Sequence, residues 1–96
     1  MIGVVVTLEV QDGKQAEFEG VFKDLMAKVK ANEPGCLWYQ LFKSKTSATT
    51  YTVMEQYASA EALASHGKTD YFLAAQPALG ACLGGAPSIE MLDIVE

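Results

Sequence analysis

His66 is the chain's one histidine. It is the side chain whose ordinary pKa falls between about pH 5 and 8, so it is a candidate general acid or base. The competing reading is a histidine that packs at a helix end and hydrogen-bonds a backbone carbonyl. Glu55 lies mid-strand, with Val53 and Tyr57 on its own face. A carboxylate among apolar neighbours is costly unless paired, and burial raises its pKa toward that of a useful base. Glu55 could equally be a structural pin, accepting a hydrogen bond from Tyr39 or from a helix end. Tyr57 could position a ligand oxygen. Trp38, Tyr39, Tyr71 and Phe72 supply rings enough to line a flat pocket, although rings in so short a chain are more often core. With one histidine and two separated cysteines, Cys36 and Cys82, no metal site is expected. Gly80, Gly84 and Gly85 lack the spacing and the following lysine of a phosphate loop. No flavin or nicotinamide fingerprint is present, so no cofactor is expected.

The elements that must hold these residues follow from periodicity. Ile2, Val4, Val6, Leu8 and Val10 recur with period two and predict a first strand that ends at Asp12-Gly13. Asp12 can cap a following helix, with Gln15 reaching back as in a capping box. Phe18, Val21, Phe22, Leu25, Met26 and Val29 recur at helical spacing, with charged residues mainly opposite. Asn32-Glu33-Pro34-Gly35 stops that helix. Cys36–Phe42 alternates as a second strand, with Leu37, Tyr39 and Leu41 on one face and Cys36, Trp38, Gln40 and Phe42 on the other. Lys43–Thr49 reads as a hairpin loop and Tyr51–Tyr57 as a third strand. Ser59 opens a second helix, broken at Gly67-Lys68-Thr69. Thr69 can cap a further stretch through Leu73, which Pro77 would kink or end. Ser88–Val95 is the last strand.

The order βαββαβ predicts an α+β, ferredoxin-like chain with a four-stranded antiparallel sheet, a single domain over residues 1–96. Helices then cover one sheet face only. Yet Val4 and Val5, Leu37 and Trp38, and Val53 and Met54 put apolar side chains on both faces. The uncovered face therefore calls for a second copy, sheet against sheet, in a homodimer. The net charge of −5 argues against nucleic acid and against an anionic membrane surface. No apolar run approaches the roughly 20 residues that span a bilayer. Glu9 interrupts the apolar start, and no basic segment precedes it, so a cytoplasmic location is expected.

Three segments resemble the antibiotic biosynthesis monooxygenase family of the dimeric α+β barrel group. Glu33-Pro34-Gly35-Cys36-Leu37-Trp38-Tyr39 is similar to the family's entry into strand two. Met54–His66 resembles its run of glutamate, aromatic, serine, glutamate-alanine and histidine. Thr69-Asp70-Tyr71-Phe72 is like the stretch that follows. The resemblance implies a dimeric barrel and a small-molecule substrate. It does not imply one chemistry, because the family includes cofactor-free oxygenases, haem-degrading enzymes and isomerases.

Position by position, the haem-degrading pattern would need asparagine, tryptophan and histidine where this chain has Thr7, His66 and Gln76. The arginine of some polyketide-tailoring members has no counterpart, since all seven basic residues are lysines. Glu55, Tyr57 and His66 are closer to the quinol monooxygenase-like branch and to the autoinducer-2-processing isomerase-like branch. The resemblance thus implies a cofactor-independent monooxygenase that acts with O2 on a small quinol- or polyphenol-like aromatic. The alternatives are an acid/base isomerase of a small hydroxycarbonyl or sugar phosphate, and a non-catalytic ligand-binding dimer of the same fold.

Overall fold

The computed structural model describes residues 1–96. The order is β1 (Ile2–Glu9), α1 (Gln15–Asn32), β2 (Cys36–Lys43), β3 (Thr50–Tyr57), α2 (Ala60–His66), α3 (Asp70–Cys82) and β4 (Ser88–Asp93). The strands form one antiparallel sheet in the order β2-β3-β1-β4. This is the α+β ferredoxin-like arrangement that the alternation predicts.

The helical stripe of α1 buries Phe18, Phe22, Leu25 and Val29 against Leu8, Tyr39, Tyr51 and Val53 of the sheet. Leu79 and Cys82 of α3 close the same core. The start of α1 differs from expectation. Asp12 does not cap the backbone; its Oδ1 accepts from Gln15 Nε2 at 3.0 Å, and the side-chain Oε1 of Gln15 accepts from Gly13 N–H at 2.7 Å. Gly13, at φ +93°, takes the left-handed turn that a side chain would resist. Pro77 does not end α3, which runs on to Cys82 with Pro77 inside it.

A second difference lies in β2. Its register shifts between Cys36 and Trp38, so Cys36 pairs with Tyr57, Trp38 with Gln56 and Tyr39 with Glu55. Leu37 is the extra residue of a bulge, and a bulge reverses the alternation upstream of it. Cys36 therefore packs with the core on the helix side, and Leu37 is exposed. Strict period two had put each on the other face.

The helices leave two apolar regions of sheet bare. On the far face Trp38, Phe42, Met54 and Leu92 are exposed, with the Trp38 and Phe42 rings in edge contact at 5.9 Å. On the helix side, no helix reaches across β4, and Ile89 and Met91 stay open.

Candidate active site

Two turns of chain build the site. Pro34 disfavours the helical conformation for the residue before it, so Glu33 leaves α1 at φ −122°, ψ 83°. Its N–H still donates to Val29 O at 3.0 Å, and its carbonyl accepts from Cys36 N–H at 3.0 Å, which fixes the corner. Gly35 lets α2 come close: a Cβ there would lie 2.8 Å from Ala62 Cβ. On the other side Ser59 caps α2 by accepting from Ala62 N–H at 3.1 Å. Thr69 joins α2 to α3, its hydroxyl donating to His66 O at 3.0 Å and accepting from Phe72 N–H at 3.4 Å.

These constraints bring His66, the last residue of α2, against Glu33. His66 Nδ1 lies 2.9 Å from Glu33 Oε1 and 3.2 Å from Oε2. The second Glu33 oxygen also accepts a hydrogen bond from Tyr71 O–H. Both partners are nearly sealed from solvent, at 5% exposure for the His66 side chain and 11% for Glu33. The imidazole sits among the rings of Tyr39, Tyr57 and Phe72, with centroids 5.1, 5.5 and 4.8 Å away. A carboxylate at Nδ1 holds the proton there and leaves the Nε2 lone pair free. Nε2 makes no hydrogen bond to the protein, and no buried polar side-chain atom is left unpartnered, so Nε2 meets open space.

That space is a cavity of about 460 Å³ between the sheet and the helices. Val4, Val6, Val53, Phe22 and Leu25 form its floor and wall; His66, Phe72 and Leu79 form its roof; Ile89 and Met91 of bare β4 form its rim. Glu55 lines it from the strand beside Tyr39. Tyr57, wholly buried, donates its O–H to Glu55 Oε1 at 2.6 Å and leaves Oε2 free. Burial pushes the Glu55 carboxyl above the ordinary range, while the Tyr57 hydrogen bond and the nearby imidazole pull it back. Burial, then neighbouring carboxylates, push the Tyr39 phenol far up; burial and its bond to Glu55 do the same for Tyr57. Tyr71 is pushed up to about 12 by burial and its bond to Glu33. These phenols stay protonated, and those of Tyr57 and Tyr71 donate to Glu55 and Glu33.

His66, Glu55, Tyr39 and Phe72 thus meet at one cavity. Tyr57 and Tyr71 do not line it; they hold Glu55 and Glu33 from behind. Trp38 lies on the opposite face of the sheet, out of reach of the cavity. Glu33, the carboxylate partner of His66, is the site residue that sequence reading missed, since it reads there as part of a helix stop. No three His, Cys, Asp or Glu side chains gather in a way that could hold a metal ion, and no helix is long and apolar enough to cross a membrane.

The fold and the site define a ferredoxin-like α+β protein with a nearly buried His66–Glu33 pair at the edge of an apolar cavity. Residues 1–78 match the sequence profile of the antibiotic biosynthesis monooxygenase family, and the chain belongs to that family. A candidate antibiotic biosynthesis monooxygenase from Caulobacter crescentus superposes with a TM-score of 0.96 at 64% identity, over 99% of this chain and 90% of that one. A conserved protein from Methanosarcina mazei aligns over 95% of this chain and 89% of its own, with a TM-score of 0.89 and 26% identity. A further candidate of the same description from Deinococcus radiodurans shares the fold, with a TM-score of 0.90 at 18% identity, over 100% of this chain and 94% of that one. No curated protein matches this chain.

Proposed function

We propose that the chain is a cofactor-independent monooxygenase that oxidises a small phenolic or quinol-like aromatic with O2. The observation that carries this reading is a basic nitrogen, His66 Nε2, opening into an apolar cavity while a buried carboxylate fixes its tautomer. Deprotonated phenols are electron-rich enough to reduce O2 themselves, so the protein's tasks are to remove a proton, hold the ring and exclude water. His66 takes the hydroxyl proton at Nε2, and Glu33 stabilises the imidazolium that results. Glu55, oriented by Tyr57, accepts a second hydroxyl of the ring. Phe72 and Phe22 flank the ring itself. The reaction then balances as follows. One atom of O2 enters the ring; the other leaves as water with two substrate hydrogens, including the proton His66 held. The four electrons come from the substrate, so a hydroquinone becomes a hydroxyquinone.

The cavity lining argues against the sugar-phosphate alternative. No lysine lines the cavity, and Glu55 faces into it. A phosphate dianion there would be desolvated beside a carboxylate with no cation to pair it. The chain is further proposed to act as one domain, residues 1–96, and as a homodimer joined through the exposed sheet face around Trp38, Phe42 and Met54. Its two free thiols, Cys36 and Cys82, suit a reducing cytoplasm.

The test is oxygen consumption across a panel of quinols and polyphenols. His66→Asn keeps an N–H near the Nδ1 position to serve Glu33 but lacks the base. It should stay folded and lose about 10²–10⁴-fold in turnover. Oxygen uptake that survives in this variant, or that no panel member elicits in the parent, would overturn the reading; the latter result favours the non-catalytic binder.

A further inference from the structure

We propose that Tyr39 is a catalytic residue, donating its O–H to the oxygen of the ligand that loses its proton to His66. The inference rests on the phenol-oxidising reading above and assigns the oxyanion partner which that reading lacks. Removing a proton from a phenol inside an apolar cavity creates a charge that nothing solvates, so a preorganised donor is required there.

Elimination identifies it. Among the cavity's lining residues, the side chains that carry nitrogen or oxygen are Tyr39, Glu55, His66 and Gln76. Gln76 gives one of its two amide N–H groups to Phe72 O at 3.2 Å, and it stands exposed on α3, where water serves the other. His66 spends its Nδ1 proton on Glu33. Glu55 already accepts from Tyr57. Tyr39 alone is a buried donor with no partner in the protein.

The phenol of Tyr39 is 4% exposed, yet its O–H makes no hydrogen bond to the protein, and it is not sealed off from solvent. A buried hydroxyl is ordinarily partnered. Here the partner's place is the cavity. The ring is held rigidly: stacked on Phe22 at 5.6 Å and 10°, tilted against His66 at 5.1 Å, and placed across from Glu55 in the sheet register. Glu55 on β3, Cys36 at the start of β2, Glu33 at the end of α1 and Tyr71 on α3 all oppose its ionisation. It therefore remains a protonated donor at neutral pH.

Tyr39→Phe tests this cleanly, because it removes one hydroxyl and keeps the ring. The probe is 4-nitrophenol, bound under argon and read by its phenolate absorbance at fixed neutral pH. The ratio of bound phenolate to bound phenol should fall about tenfold or more in Tyr39→Phe, the usual worth of a hydrogen bond to a charged group. Thermal stability should not fall, since no bond within the protein is lost. With a quinol substrate, kcat should fall about 10²-fold, as when one oxyanion donor is removed, while KM changes little. An unchanged phenolate ratio, a drop in melting temperature of the size a lost internal hydrogen bond gives, or failure of the parent to bind the probe would each overturn the assignment. The outcomes separate the two readings. A parent that binds the probe with the predicted ratio but consumes no oxygen with any quinol sinks the oxygenase and leaves Tyr39 standing. Oxygen uptake with an unchanged ratio does the reverse.

Discussion

Glu33 Oε1 lies 2.9 Å from His66 Nδ1, joining the C-terminal end of α1 to that of α2. The two residues are 33 positions apart in sequence and are both nearly buried. The pair does two things at once. It fixes which imidazole nitrogen carries the proton, and it ties the short α2 to the long α1, on which the core is built. Because the chain has one histidine, the imidazole can be read without ambiguity.

Glu33→Gln should therefore release the tautomer. In the parent, nitrogen-15 spectra of neutral His66 should show the Nδ1–H form alone; in the variant both forms should appear. Turnover on a quinol should drop at least about tenfold, as when the partner that orients a histidine is removed. Tyr71→Phe should cost less, because Tyr71 reaches only the second Glu33 oxygen. A single unchanged tautomer in Glu33→Gln would show that Glu33 does not position the ring.

His66→Ala should behave differently from His66→Asn. The alanine strands the Glu33 carboxylate, leaving it buried with Tyr71 as its remaining side-chain donor. Leaving a buried partner unsatisfied costs about 1–3 kcal/mol. Denaturant unfolding should show that loss for alanine and little of it for asparagine, with turnover down about 10²–10⁴-fold in both. Equal stability of the two variants would mean that the Glu33 contact contributes nothing to the fold.

The strands and helices were legible because their periodicities are local. The site was legible only in part. Alternation alone places Trp38 and Tyr39 on opposite faces of β2, so at most one could line a cavity under the helices, and the bare composition of rings does not say which. The bulge at Leu37 carries no local signal, since it depends on pairing with β3. Glu33 was hidden because a charged residue before Pro-Gly is what any helix end looks like. Its partner is distant in sequence, and a tertiary pair leaves no period. Glu55 stood out because a carboxylate between Val53 and Tyr57 breaks a strand's pattern.

Glu55 should give the protein a characteristic pH dependence. Its pKa is raised above the ordinary 4.5, first by burial. A carboxyl whose folded pKa lies above its unfolded value favours folding while protonated, and that contribution is lost as pH rises through the folded pKa. Glu55→Gln removes the ionisation and keeps the acceptor for Tyr57. The stability of Glu55→Gln minus that of the parent should thus grow as pH rises upward from 4.5, and be smallest in acid. Melting temperatures across that range decide it. A difference that shrinks with rising pH would mean that the Tyr57 bond and the imidazole outweigh burial.

The exposed sheet face makes a prediction of its own. Trp38 and Phe42 form an aromatic pair on a surface with Met54 and Leu92, all at least a third exposed. An obligate interface there should bury about 2,000 Å² or more in total. Trp38→Asp puts a charge at its centre and should convert the proposed homodimer to monomer in light scattering at micromolar concentration. A monomeric parent would dispose of the idea.

Gly35 links the fold to the site most directly. A Cβ at this position would sit 2.8 Å from Ala62 Cβ, closer than two carbons tolerate. Gly35→Ala must push α2 outward, and α2 carries His66 at its end. Overpacking of this kind costs about 1–3 kcal/mol. The displacement should also lengthen the His66–Glu33 contact and lower turnover beyond the loss of folded protein. Ala62→Gly makes room for the added methyl. The double variant should recover much of the stability that Gly35→Ala loses, giving a favourable coupling of the size found for residues in contact. Turnover should return with it. Strictly additive effects of the two substitutions would show that the strain is relieved somewhere other than at α2.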